Sequence, residues 1–315
     1  MAIAFVFPGQ GSQDVGMGRE LAQASAAARE VFEEVDAALS QNLSKIMWEG
    51  PKETLTLTEN AQPALMAVSM AVIRVLEREH GFSLKDKVKF VAGHSLGEYS
   101  ALTAAGAFSI ADAARLLKLR GQAMQAAVPV GQGAMTALLG VGVEVARKVA
   151  EAAAQGDVCQ VANDNEPTQV VLSGHKSALD RVPELGKAHG VRRAVPLPVS
   201  APFHSALMQP AAEAMAAALQ NVAIKAPSVP LVANVVATAI SDPDEIKRRL
   251  VEQVVGTVRW RECVTYMTAN GVTDFYEIGA GKVLSGLAKR IDAAVNAVNV
   301  GTPAEVEAAL GRLNR

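Results

Sequence analysis

Cysteine is nearly absent from this sequence: there are two in 315 residues, Cys159 and Cys263, far apart in the chain. Neither falls in a C-x-x-C or Cys/His spacing, which argues against a disulfide framework and a structural zinc site. The natural expectation is a reducing, cytoplasmic setting. Aromatic residues are also scarce, at 4%. That composition suits close packing of alanine-rich helices better than a β-sandwich. Charge of neither sign dominates, with 30 Lys and Arg against 32 Asp and Glu and a sequence pI near 6.2. Nothing in that balance recommends nucleic acid or an anionic membrane as a partner. The N-terminal Ala2–Phe7 stretch lacks a basic region and runs straight into Pro8-Gly9, so it reads as a first strand rather than a signal peptide. The apolar run from Pro63 ends at Arg74, short of a membrane span.

What the chain does have is hydrophobic mass. Half of it is apolar and its mean hydropathy is +0.18, enough for a large buried core. Strand and helix patterns alternate. The continuous apolar run Ala2–Phe7 is followed by helical stretches to about Leu39, and residues 61–79 form a helix that is apolar around most of its circumference. Residues 88–92 read as a short strand, with helix from Ser95 onward. This succession predicts an α/β fold whose sheet is mainly parallel and covered by helices.

The middle of the chain reads differently. Strands are expected at 134–141, 158–162, 169–172 and 191–199, with helices at 144–154 and 176–188, an order of β-α-β-β-α-β. That is the ferredoxin-like unit. The expected division is therefore a core of residues 1–127 and 200–315 with a small subdomain, 128–199, set into it. Strands at 229–235 and 274–278 then resume the core pattern.

The sharpest chemical signal is Gly93-His94-Ser95-Leu96-Gly97, a G-x-S-x-G between an expected strand and an expected helix. A serine on such a tight turn needs glycines two residues to either side, and its hydroxyl sits at a helix N-terminus that stabilises negative charge. Ser95 and Glu98 equally fit an S-x-x-E capping box that only starts the helix. A nucleophilic serine also needs a base. His80 and His189 adjoin glycines at helix ends, His175 opens a helix, and His94 is placed to brace the turn. His204, in a loop where the subdomain returns to the core, is the best candidate. The Gly-rich loop Pro8-Gly9-Gln10-Gly11 offers free backbone N–H groups as a second wall of an oxyanion hole. It fails the dinucleotide pattern, because Asp14 stands where a glycine is required, and the phosphate-loop pattern G-x-x-x-x-G-K-[ST] is absent.

Arg120 shares a helical stripe with Ala113, Leu116, Leu117 and Met124. An arginine on an apolar stripe needs an anion, supplied either by a core carboxylate in a structural ion pair or by a substrate. Phe203, next to the candidate base, either flanks the substrate and keeps the pocket small or packs beneath the loop.

Taken in order, Phe7-Pro8-Gly9-Gln10-Gly11-Ser12-Gln13, the Gly93–Tyr99 segment, Arg120-Gly121-Gln122-Ala123-Met124, Ala201-Pro202-Phe203-His204 and Gly279-Ala280-Gly281-Lys282-Val283-Leu284 resemble bacterial malonyl-CoA:acyl carrier protein transacylases. They resemble more distantly the acyltransferase domains of fatty acid and polyketide synthases. The resemblance implies a hydrolase-like α/β core carrying the ferredoxin-like insert. It implies Ser95 as nucleophile, His204 as base, the Gln10 and Leu96 amides as oxyanion hole, and Arg120 as partner of the malonyl carboxylate. It further implies that the Gln253 main-chain carbonyl orients the histidine and that Asn163 lies near the cleft. One departure is Gly256-Thr257, where the family pattern suggests Asn-Pro. The implied partners are malonyl-CoA and acyl carrier protein, with no cofactor or metal required, in fatty acid biosynthesis or in a polyketide or malonate pathway. An esterase would instead want an H-G-G-G motif, which the sequence lacks. Because acyl carrier proteins are acidic, Lys187, Arg192, Arg193, Lys282 and Lys289 are candidate docking cations.

Overall fold

The structure, a computed structural model, describes residues 2–199 and 201–313. Met1, Ser200, Asn314 and Arg315 lie outside the described residues, so the expected boundary at 200 falls on one of them.

Strand β1, Ala2–Phe7, occupies the middle of the larger sheet, which explains its unbroken apolar sequence: Ala4 through Phe7 are buried on both faces. The other strands of that sheet are β2 (Val88–Gly93), β7 (Leu231–Val232), β8 (Ala239–Ile240), β9 (Val272–Ile278) and β10 (Asn296–Val300). Their order is β10-β9-β1-β2-β7-β8, parallel throughout except for the β7–β8 pair. In an open parallel sheet, ligands bind beyond the carboxyl ends of the strands. Here the Phe7↔Gly93 register of β1 and β2 brings the Pro8–Gly11 loop and the Ser95 turn side by side at that edge.

The second sheet contains β3 (Gly133–Leu139), β4 (Cys159–Glu166), β5 (Gln169–His175) and β6 (Arg193–Pro196), in the antiparallel order β4-β5-β3-β6. With the helices Val143–Ala154 and Lys176–Ala188 between its strands, it has ferredoxin-like connectivity. A seam joins this sheet to the core. Asn163 bridges Val258, the Asp164 amide donates to the Val258 carbonyl (2.9 Å), and Val258 donates back to Ala162 (2.8 Å). Arg261 grips the buried Asp164 carboxylate with Nε and a terminal nitrogen, at 2.7 Å for the shortest bond. The departure at Gly256-Thr257 sits on the same seam. The Thr257 hydroxyl donates to the Val161 carbonyl (2.6 Å), and a Cβ on Gly256 would meet Glu252 O and a Val235 methyl, each at 2.9 Å.

Four strands depart from the sequence expectation. The strand expected over 229–235 is only Leu231–Val232, because the Asn234 side chain leaves the ladder to bond the Ser95 turn. The strand expected over 191–199 ends at Pro196, and Pro198 has no N–H with which to continue it. Strand β4 runs to Glu166 rather than 162, which places Asn163 within the sheet beside a register shift. Strand β10 was not expected at all. No helix among the described residues is long and apolar enough to cross a membrane.

Candidate active site

Ser95 adopts φ 54°, a left-handed conformation that a side chain tolerates only when its surroundings enforce it. The flanking glycines make the turn sterically possible. A Cβ on Gly93 would stand 1.9 Å from the Gly97 carbonyl carbon, and one on Gly97 would stand 2.3 Å from the Phe7 carbonyl oxygen. Both backbone groups of Ser95 are held: its N–H donates to Asn234 Oδ1 (2.9 Å) and its carbonyl accepts from Gln253 Nε2 (2.9 Å). The capping box does not form. Ser95 Oγ is turned instead to His204 Nε2 at 2.7 Å, and the Glu98 carboxyl accepts from the Asn234 and Gln253 nitrogens.

His204, itself at φ 56° and 4% exposed, bonds through Nδ1 to the Gln253 main-chain carbonyl at 2.8 Å. A carbonyl only accepts, so Nδ1 carries the proton and Nε2 is free to receive the serine's. Burial, with the Arg120 charge as a second cause, pushes the His204 pKa down to about 3 and keeps the imidazole neutral. The acids of the β4 region take no part in orienting it, since Asp164 is engaged by Arg261. His94 braces the turn as its position suggests, with Nε2 2.9 Å from Asn165 Oδ1 and its ring tilted against Trp260.

The whole apolar stripe bearing Arg120 is buried, and Arg120 is 1% exposed. Its helix, Ile110–Ala126, crosses Thr58–His80 so closely that a Cβ on Gly121 would lie 2.5 Å from the Glu59 Cα. That approach carries the guanidinium onto Gln62 Oε1 (2.8 Å), Gln253 Oε1 (2.9 Å) and Ser95 Oγ (3.1 Å). All three partners are neutral, and Nε has no acceptor among the described residues. The ion-pair alternative therefore has no carboxylate in hydrogen-bond contact with the guanidinium, which stands beside the serine.

Gln10, Leu96, Phe203, Asn163, Met124 and Met135 join these groups around a cavity of about 260 Å³. Among the described residues, neither the Gln10 nor the Leu96 amide donates to a protein acceptor, so both remain available to an oxyanion. Every residue expected at the site thus lies at this one cavity or bonds a residue that does. Three that matter were missed: Gln62, Asn234 and the bridging role of Glu98. Gln62 left one trace in the sequence, a polar side chain on a helix buried almost all round. Asn234 left none. A wider depression of about 650 Å³ opens beyond the first loop, lined in part by Gly11, Lys52 and Lys282 and away from Ser95.

A serine paired to a neutral histidine, two free amides and a guanidinium with no carboxylate in contact form an apparatus for acyl transfer from an acid-bearing donor. The comparisons with known proteins agree. The acyl transferase domain family matches residues 4–315. The chain is 46% identical to the malonyl CoA-acyl carrier protein transacylase of Bacillus subtilis over 99% of this chain and 97% of that one. The Escherichia coli K12 enzyme of that name is also 46% identical, covering 98% of both chains. A Bartonella henselae acyl-carrier-protein-S-malonyltransferase structure superposes with a TM-score of 0.98 at 58% identity and complete coverage of both chains. A malonyl-transacylase in complex with a type II polyketide synthase acyl-carrier protein superposes at 0.95, with 41% identity over 99% of this chain and 100% of that one. The chain belongs to the acyl transferase family.

Proposed function

We propose that the protein transfers malonyl groups from malonyl-CoA to the phosphopantetheine thiol of acyl carrier protein, in the cytoplasm, in supply of fatty acid synthesis. The observation that carries this reading is the buried Arg120 guanidinium, 3.1 Å from Ser95 Oγ and without a carboxylate partner. A malonyl ester on Ser95 would bring its free carboxylate to that guanidinium, where two parallel N–H donors can hold it.

The chemistry follows from the geometry. Ser95 Oγ attacks the thioester carbonyl while His204 Nε2 takes the hydroxyl proton. The Gln253 carbonyl steadies the imidazolium through Nδ1–H. The Gln10 and Leu96 amides receive the negative oxygen, coenzyme A leaves as a thiol with the proton from His204, and a malonyl ester remains on Ser95. The carrier thiol then gives its proton to His204 and attacks that ester, and collapse returns the proton to Ser95. The 128–199 segment acts as a separate subdomain whose Met135 and Asn163 wall the cavity and keep water from the ester.

Intact mass tests the reading. Mixing with malonyl-CoA should add one malonyl group to Ser95, and holo carrier protein should remove it. An adduct on another residue, or one that persists in Ser95→Ala, would falsify it.

A further inference from the structure

The mechanism makes no use of Glu98, although this acid is 1% exposed, lies on the helix Gly97–Ala104 and sits beneath the nucleophile. Its two oxygens are divided between two elements. One accepts the Asn234 backbone N–H (2.5 Å), in the turn after β7, and the other accepts Gln253 Nε2, on the helix Pro243–Val255. Those residues are the clamp on Ser95. Asn234 Oδ1 holds the Ser95 N–H, and Gln253 Nε2 holds the Ser95 carbonyl. Gln253 has two further tasks, since its main-chain carbonyl orients His204 and its Oε1 accepts from Arg120.

We propose that Glu98 is the positioning residue of the site: by fixing which way the Gln253 amide points, it sets the nucleophile and the substrate-carboxylate arginine in register with each other. The proposal rests on the acyl-transfer reading above.

A glutamine amide has a donor end and an acceptor end of nearly the same shape, and its partners alone choose between the two orientations. Ser95 O requires the donor end and Arg120 requires the acceptor end. Glu98 adds a second acceptor on the donor side, which makes the reversed amide costly. Both Glu98 oxygens face donors and neither faces an acceptor, the pattern of an ionised carboxylate. Burial raises its pKa to about 8 even against the Asn234 and Gln253 hydrogen bonds and the Arg120 charge, which favour the ionised form.

Glu98→Gln preserves the shape of the side chain and removes the rule. The oxygen of the introduced amide would keep the fixed Asn234 N–H, and its NH2 would then face Gln253. The Gln253 amide would reverse to accept from it, turning its own NH2 toward Arg120. The guanidinium would lose an acceptor and its aim, and Ser95 O would lose its donor.

The experiment measures kcat and KM for malonyl-CoA and acetyl-CoA in wild type, Glu98→Gln, Gln253→Leu and the double variant, with a thermal melt of each. In Glu98→Gln, malonyl efficiency should fall roughly tenfold to a hundredfold further than acetyl efficiency, the scale of losing a hydrogen bond to a charged group. In the double variant the losses should not multiply, because Glu98 acts through Gln253. Equal falls for both donors, multiplying losses, or loss of the fold in Glu98→Gln would each make Glu98 a packing residue and overturn the proposal. Failure of wild type to transfer malonyl at all would instead remove the reading of the site on which the proposal stands.

Discussion

The Arg120 guanidinium donates to the Ser95 hydroxyl across 3.1 Å, so the residue suited to choosing the acyl group and the residue suited to carrying it are in direct contact before substrate arrives. On the proposed mechanism, an incoming carboxylate need only displace the arginine from a hydroxyl that is about to become an ester oxygen.

Arg120→Ala should therefore separate two donors. Removing one partner of a desolvated charge pair costs about 2–5 kcal/mol, roughly thirty- to several-thousandfold in efficiency with malonyl-CoA. Acetyl transfer should hold or rise, since acetyl brings no carboxylate to leave unpaired. Arg120→Lys should restore only part of the loss, because an ammonium lacks the planar fork. Side-by-side kinetics on well-folded variants decide this, and an equal fall for both donors would remove the case for malonyl.

His204 should stay neutral far below the usual histidine range. Its pKa is lowered from 6.5 to about 3, so between those values the unfolded chain takes up a proton that the folded chain refuses. Its contribution to stability is thus constant above about 6.5 and is lost progressively as pH falls toward 3. Imidazole NMR should show no His204 titration between pH 5 and 8; a transition near 6.5 would contradict the geometry. His204→Ala should lower turnover roughly a thousandfold or more, as happens when a serine and its base act as one unit.

Phe203 lines the cavity and is 9% exposed, so its ring both packs and confines. Phe203→Ser should raise the efficiency of methylmalonyl-CoA relative to malonyl-CoA. An unchanged ratio would assign the ring to packing alone.

Lys187, Arg192, Arg193, Lys282 and Lys289 are all exposed. If an acidic carrier protein docks on such cations, transfer to it should slow as salt rises, whereas acylation by malonyl-CoA alone should be less affected. Equal salt dependence of the two half-reactions would count against an electrostatic dock.

Motifs that impose a local steric demand were legible in the sequence. Gly93 and Gly97 flag the elbow because no other residue fits there. The stripe from Ala113 to Met124 flags Arg120 because helical periodicity places it inside. His204 emerged by comparing the settings of five histidines. Side chains that work through distant backbone atoms left no local mark. Asn234 touches Ser95 only because β7 ends where it does, and Glu98 carries its capping pattern regardless of what its carboxyl bonds. Strand ends were misread for the same reason: Val229 to Val235 is apolar enough for a strand, but the turn at Asn234 is set by its partner in the elbow.

The seam of Ala162, Asn163 and Asp164 with Val258 and Arg261 fastens the smaller sheet to the core along one side of the cleft. It acts as the spine of a book whose pages are the two sheets. Gln10, Thr56, Val199 and Phe203 line both the cavity and the depression beside it, so the two adjoin there. If both pantetheine arms enter by that margin, coenzyme A and the carrier protein must use it in turn. A doorway shared in that way would be a geometric reason for the two half-reactions to alternate: the acceptor could not enter until the spent donor had left.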